Sequence, residues 1–271
     1  MRLLKPKEAP HDDSALVFRN RSWTGLLIAA GLMGLVAGAL AAGKWGQPDV
    51  FLAVLPGGLA LLFLALSLLR LRMCLRPDNW LLRMGKDGLY VNLRSYRNHQ
   101  LDGDAPTVLF IPRDEVAVVC KTHEVRTYLR RRGYTEEFFN YIDVYLHDGA
   151  GLAAVTGALR TERRRMPARG RKHHDYPVRV IDPPGIRLVW EHVRPGEDTA
   201  LRLLTAEYPA GPAQKRRGPK WDKLNDAEKE AHIAELWETG YIDEANRMVR
   251  LHRTCSVREA REYLRQHVEE G

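Results

Sequence analysis

Two stretches of this sequence carry no charged side chain: residues 22–43, SWTGLLIAAGLMGLVAGALAAG, and residues 50–69, VFLAVLPGGLALLFLALSLL. A helix needs roughly 20 apolar residues to cross the ~30 Å hydrocarbon core of a bilayer, and soluble core helices rarely run that far without a charge. The expectation is a transmembrane helical hairpin over residues 22–70, joined by the short turn 44–49. Ala39-Leu40-Ala41 resembles a signal-peptide cleavage site, but the apolar run exceeds the usual ~7–15 residues; after cleavage the second span would still act as a stop-transfer helix. Arg19, Arg21, Arg70, Arg72 and Arg76 flank the pair, whereas the turn has only Lys44, offset by Asp49. The positive-inside rule then places both termini of the multi-pass chain in the cytoplasm. Trp23 and Trp45 fall at the ends of the first span, where indoles favour the interface. Gly34 and Gly38, extended by Ala30 and Ala42, form a small helix-packing face. Packing between the two spans of one chain is preferred there, with homodimerisation as the alternative. Neither span holds an ionisable residue, which argues for an anchor over a conduit.

The remaining sequence allows further domains, since 271 residues suit one to three. Three cysteines exclude a disulfide scaffold and are expected as free thiols. The net charge of +8 is uneven: residues 1–77 carry 9 basic against 4 acidic groups, residues 78–208 carry 21 against 18, and residues 209–271 carry 12 against 12. That distribution suits an anionic membrane surface better than a nucleic-acid groove. The domain order read from it is an N-terminal cytoplasmic tail (1–21), the hairpin (22–70), a cytoplasmic β domain (78–208), a basic Pro/Gly linker (209–222) and a helical module (223–271).

Residues 80–208 read as mostly β. Asp87-Gly88 marks a turn between strands at 80–84 and 89–94. Further strands are expected at 108–111, 116–121 and 139–146, the last ending at the hairpin signal Asp148-Gly149. Strands at 178–181 and 186–190 flank Asp182-Pro183-Pro184-Gly185, and a short helix with an acidic first turn spans roughly 199–207. This makes six or seven antiparallel strands closed by a helix. The two-span hairpin, followed by Trp80, Arg83, Asp87, Gly88, Leu89 and Tyr90 and then by Ile111, Pro112, Glu115 and Val116, resembles bacterial membrane proteins with pleckstrin-homology-like domains. Arg113 stands where that family carries an aromatic. The resemblance implies a binding or scaffold barrel with no particular ligand and, for a two-span chain, a multi-pass place in a bacterial inner membrane.

Basic clusters interrupt the domain at Arg130-Arg131-Arg132 and over residues 160–172. In the second, Arg163, Arg164, Arg165, Arg169, Arg171 and Lys172 are candidate lipid-headgroup contacts. A solvated loop drawn to an anionic bilayer by general attraction is preferred over a shaped pocket. The runs lack interleaved aromatics, so no specific nucleic-acid partner is expected. Residues 149–154 give G-x-G-x-x-A after a strand, a dinucleotide fingerprint in outline. Its context fails, because the strand carries Asn140 and Asp143 where a buried parallel strand is nearly all apolar. Cys120, His123 and His173-His174 lack a second ligand pair for a tetrahedral metal site. No catalytic residue, cofactor or metal is assigned.

After the linker, Asn225 and Glu228 form a capping-box-like pair, a helix runs through Trp237 to Gly240, a second spans roughly 243–253, and Ser256 caps a third. Gly240, Ala245, Arg250, Val257, Glu259 and Ala260 resemble in spacing the C-terminal domain of the ribosomal stalk protein, which implies a helical hairpin used for protein contacts. Trp237, Arg247 and Arg250 are the candidate partner contacts. Ile233, Leu236, Trp237, Val249, Val257, Ala260 and Leu264 recur at helical spacing as one apolar set. The fold class is thus a membrane α-hairpin of two transmembrane helices plus a mainly-β pleckstrin-like domain and a small all-α C-terminal module. The function read from it is a non-enzymatic, membrane-anchored scaffold for a membrane or cytoplasmic protein partner or for anionic lipid. The alternatives are an accessory subunit of a larger membrane complex and a membrane-bound enzyme whose site no motif reveals.

Overall fold

The computed structural model describes residues 1–9, 16–20, 31, 34, 62, 64–69, 71–72, 75–130, 133–166, 176–218, 220–238 and 242–266. The chain forms two compact units, one of Met1–Arg19 with Trp80–Gly271 and one of Asn20–Asn79. In the second, the described residues 31, 34, 62, 64–69, 71 and 72 are helical, and the Asn79 side-chain amide donates to the Asn20 carbonyl at 2.7 Å. Among the described residues no helix is long and apolar enough to cross a membrane. This corrects the transmembrane hairpin, the multi-pass inner-membrane location and the resemblance to two-span membrane proteins. Most of 22–70, including Gly38, lies outside the described residues. A Cβ built on Gly34 meets nothing within 4 Å among them.

In the first unit, β1 (Arg2–Leu4) and β2 (Leu16–Asn20) precede the 20–79 segment, and β3 (Leu82–Met84), β4 (Gly88–Asn92) and β5 (Val108–Pro112) follow it. A long hairpin comes next, β6 (Val116–Arg130) and β7 (Gly133–Leu146), then α1 (Leu152–Arg164). The chain continues through β8 (Val178–Ile181), β9 (Gly185–Val189), β10 (Val193–Arg194), α2 (Glu197–Thr205) and β11 (Gln214–Arg217). It closes with α3 (Asp226–Glu238), α4 (Ile242–Arg253) and α5 (Val257–Leu264). One sheet has the order β1-β5-β4-β3-β2-β10, the other β11-β6-β7-β9-β8. The N-terminal segment is therefore no tail: it supplies two strands. Six or seven antiparallel strands closed by one helix give way to two mainly antiparallel sheets, with β11 added parallel to β6 at an edge.

Strand alternation sorts side chains to two faces. Phe18, Leu82, Leu89, Val91, Leu109 and Ile111 of the first sheet meet Val119, Ile142, Val144, Ile186 and Leu188 of the second in one core, closed by Leu152, Val155 and Leu159 of α1 and Ala200 and Leu204 of α2. Gly88 is required at the start of β4, because a Cβ there would lie 2.1 Å from the Ile111 carbonyl oxygen.

The opposite face of the second sheet carries a further core. Phe139 and Tyr141 of β7 pack with Trp221, with Ile233 and Leu236 of α3, with Met248 and Val249 of α4, and with Ala260 and Leu264 of α5. The helical module thus docks on the β domain. Reciprocal bonds between Asn225 and Glu228 start α3, and a capping box between Ser256 and Glu259 starts α5. Val257, expected on the apolar face, is instead exposed.

Candidate functional site

β6 and β7 pair along their whole lengths, but their outer neighbours stop short. β9 pairs with β7 only over 141–145, and β11 with β6 only over 122–125. Beyond those points residues 126–130 and 133–137 pair with each other, a ribbon of about 17 Å at ~3.3 Å per residue.

One face of the ribbon base is charged and buried. Arg187 of β9 donates from Nε to Asp143 Oδ1 and from Nη2 to Oδ2, each at 2.8 Å, and Thr122 donates to the same carboxylate at 2.8 Å. Glu124 accepts from Arg187 at 3.3 Å and from Arg126 at 2.5 Å, and Arg126 reaches Glu235 of α3 at 3.5 Å. The Arg187 guanidinium also stands 4.8 Å from the Tyr141 ring centroid. Burial disfavours the charge on Arg187, yet the hydrogen bonds and charge of Asp143 outweigh it and raise its pKa. The Glu235 carboxyl is held below the usual range, first by its hydrogen bond with His232 and also by the Arg126 charge. Tyr263, Arg253 and His252 converge on Glu230 at 2.5, 3.0 and 3.2 Å. Burial opposes the Glu230 charge, but Tyr263 and Arg253 lower its pKa overall. Chemically this arrangement is a dock: the Asp143–Arg187 pair is buried and mutually neutralised beneath the helices, with both carboxylate oxygens engaged.

The other face is different. At its base Lys121 bonds Asp198 of α2 at 2.6 Å, and His123 Nδ1 stands 2.6 Å from Asn140 Oδ1. Farther out, Arg217, Val125 and Phe138 lie in register across β11, β6 and β7. Phe138 is 72% exposed, beside Val125 and within a strand whose next residue, Phe139, is 7% exposed. Lys215 sits one row back, level with His123 and Asn140. Arg217 pairs with Glu136 across the ribbon. Phe138 is thus an exposed aromatic in a cross-strand pair with Val125, with Arg217 on β11 in the same row and Lys215 and Asn140 in the next.

The residues expected to carry function lie elsewhere. Trp237 is half-buried against the second core, Arg247 pairs with Glu244 at 3.6 Å, and Arg250 is exposed on α4. Arg163 and Arg164 end α1, correcting the reading of 160–164 as loop. The Arg163 guanidinium lies 5.8 Å from the Tyr176 ring, and Arg165 pairs with Glu162 at 3.1 Å. Arg169, Arg171 and Lys172 lie outside the described residues. Gly151 does precede a helix, at φ +94°, and a Cβ there would lie 3.5 Å from Met1 Cε. Cys120 is buried, and burial pushes its thiol up. Among the described residues no group of three or more His, Cys, Asp or Glu could hold a metal ion.

Phe138, Lys215 and Arg217 were not anticipated. The Phe138-Phe139 doublet held the signal, since adjacent strand residues point to opposite faces and only one can be buried by a single dock.

No family model, curated protein or solved structure matches the chain. The resemblances to pleckstrin-homology-like membrane proteins and to the ribosomal stalk domain therefore have no family match behind them.

Proposed function

We propose that this chain is a non-enzymatic protein-binding module whose contact surface is the patch around Phe138 on the β6–β7 ribbon. The carrying observation is Phe138, a large apolar ring 72% exposed beside Val125 on a strand pair braced from behind by the helical module. Isolated exposed apolar residues are ordinary on a surface; this one is set in a cross-strand row with flanking charges, on an element that outruns its neighbours in the sheet. The helical module spends its apolar face on docking, so its role here is support and not partner capture.

The test places the photo-reactive residue benzoylphenylalanine in place of Phe138 or, as control, of Leu251 on α4, which is 44% exposed. Irradiation of cells that make the full chain is expected to give a discrete protein adduct at position 138 and none at 251. Absence of an adduct at 138, or an equal one at both positions, would overturn the assignment.

A further inference from the structure

We propose that the outer edge of β11, which no other described strand pairs with, takes an acidic, extended peptide segment of the partner by strand addition; the inference deepens the protein-binding reading and rests on it. β11 closes one end of its sheet, and its sequence is Gln214-Lys215-Arg216-Arg217, with Lys215, Arg216 and Arg217 exposed. The Gly218 N–H donates to the Val125 carbonyl at 2.8 Å, and Arg217 is level with Val125. Backbone groups alternate along a strand, so the even-numbered residues bond β6 and the N–H and C=O of Lys215 and Arg217 turn outward. Their side chains lie on the same face as Val125 and Phe138.

Main-chain donors and acceptors aimed along an edge complement another peptide backbone, and a phosphodiester offers only acceptors. Charge selects among peptides. A second copy of this edge would set Lys and Arg against Lys and Arg, an arrangement natural edges use to prevent self-pairing. An added strand with carboxylates on the Phe138 side would place them opposite Lys215 and Arg217. Pro212, just before the strand, limits the edge to a short segment.

The test uses the full chain and a fluorescein-labelled ten-residue peptide of alternating Glu and Val, followed by anisotropy at low salt. Two further probes carry backbone N-methyl groups on alternate residues, one in each phase. A strand bonds its host along one edge only, so one methylated phase is expected to lose binding and the other to keep it. Lys215→Glu is expected to weaken the parent peptide by about fivefold, as for reversal of a cross-strand charge pair, while Lys215→Arg leaves it unchanged. Circular dichroism of both variants is expected to match the parent, because Lys215 is exposed. Equal binding by both methylated phases, displacement by an equimolar single-stranded oligonucleotide, or no binding at all would overturn strand addition. These failures are separable from failure of the contact-face assignment: a position-138 adduct that persists while the peptide fails overturns the edge site alone, and peptide binding without that adduct overturns the Phe138 face alone.

Discussion

Phe138 and Phe139 are chemically identical neighbours with opposite fates, and that contrast is measurable. Phe139→Ala removes a ring from the core beneath the helices and should cost about 3–5 kcal/mol, whereas Phe138→Ala should change stability by less than about 0.5 kcal/mol; urea unfolding of the two variants checks both. Charge gives a second handle at this scale. Glu230 and Glu235 have folded-state pKa values below the usual 4.5. A depressed carboxylate pKa stabilises the fold fully above the unfolded value, and that stabilisation is lost as pH falls through the folded value. The chain should therefore weaken on acidification below about pH 4.5, and a Glu230→Gln/Glu235→Gln variant should weaken less steeply over the same range in denaturant titrations. A rise in stability on acidification would contradict the sign.

At the scale of the element, what could be read in advance tracks where hydropathy alternates. The strands at 82–84, 88–92, 108–112, 178–181 and 185–189 lie where apolar alternation and turn residues placed them. The sequence reading makes β6 and β7 far shorter, because residues 122–138, THEVRTYLRRRGYTEEF, show no regular apolar alternation and put Thr122, Glu124 and Arg126 on the buried face. Their buried face is ionic, satisfied by Arg187 of β9 and Glu235 of α3, partners that no local window contains. β11 read as linker for the same kind of reason: Gln-Lys-Arg-Arg has little strand preference, and it is a strand because β6 offers a ladder. Local capping chemistry was legible. Ser256→Ala should remove the Glu259 N–H bond and cost about 1 kcal/mol, seen as a lower midpoint in thermal unfolding, with Ser256→Asp close to the parent. The strand pair β4–β5 is less tolerant: Gly88→Ala must displace the Ile111 carbonyl and should cost more than about 1 kcal/mol.

For the whole molecule, the two cores share the second sheet, with Ile142 and Val144 facing one and Phe139 and Tyr141 the other. The β domain and the helical module should consequently unfold together. Near-ultraviolet dichroism and Trp fluorescence are expected to report one coincident transition for residues on both sides of the sheet, and two resolved transitions would show the module to be independent. The sequence leaves open whether the helical tail packs on the β domain, because linker composition marks where a chain bends and carries no record of what it returns to cover. The position of the 20–79 segment is also consequential. The chain leaves the first sheet after β2 and re-enters it at β3, and these strands are direct antiparallel neighbours, with Phe18 opposite Leu82. Topologically that segment occupies the place of a hairpin turn. It is a cassette: splicing a tight turn across the ~4.8 Å gap would leave the strand order of both sheets untouched, and foreign domains whose own ends lie close together could be grafted through the same doorway.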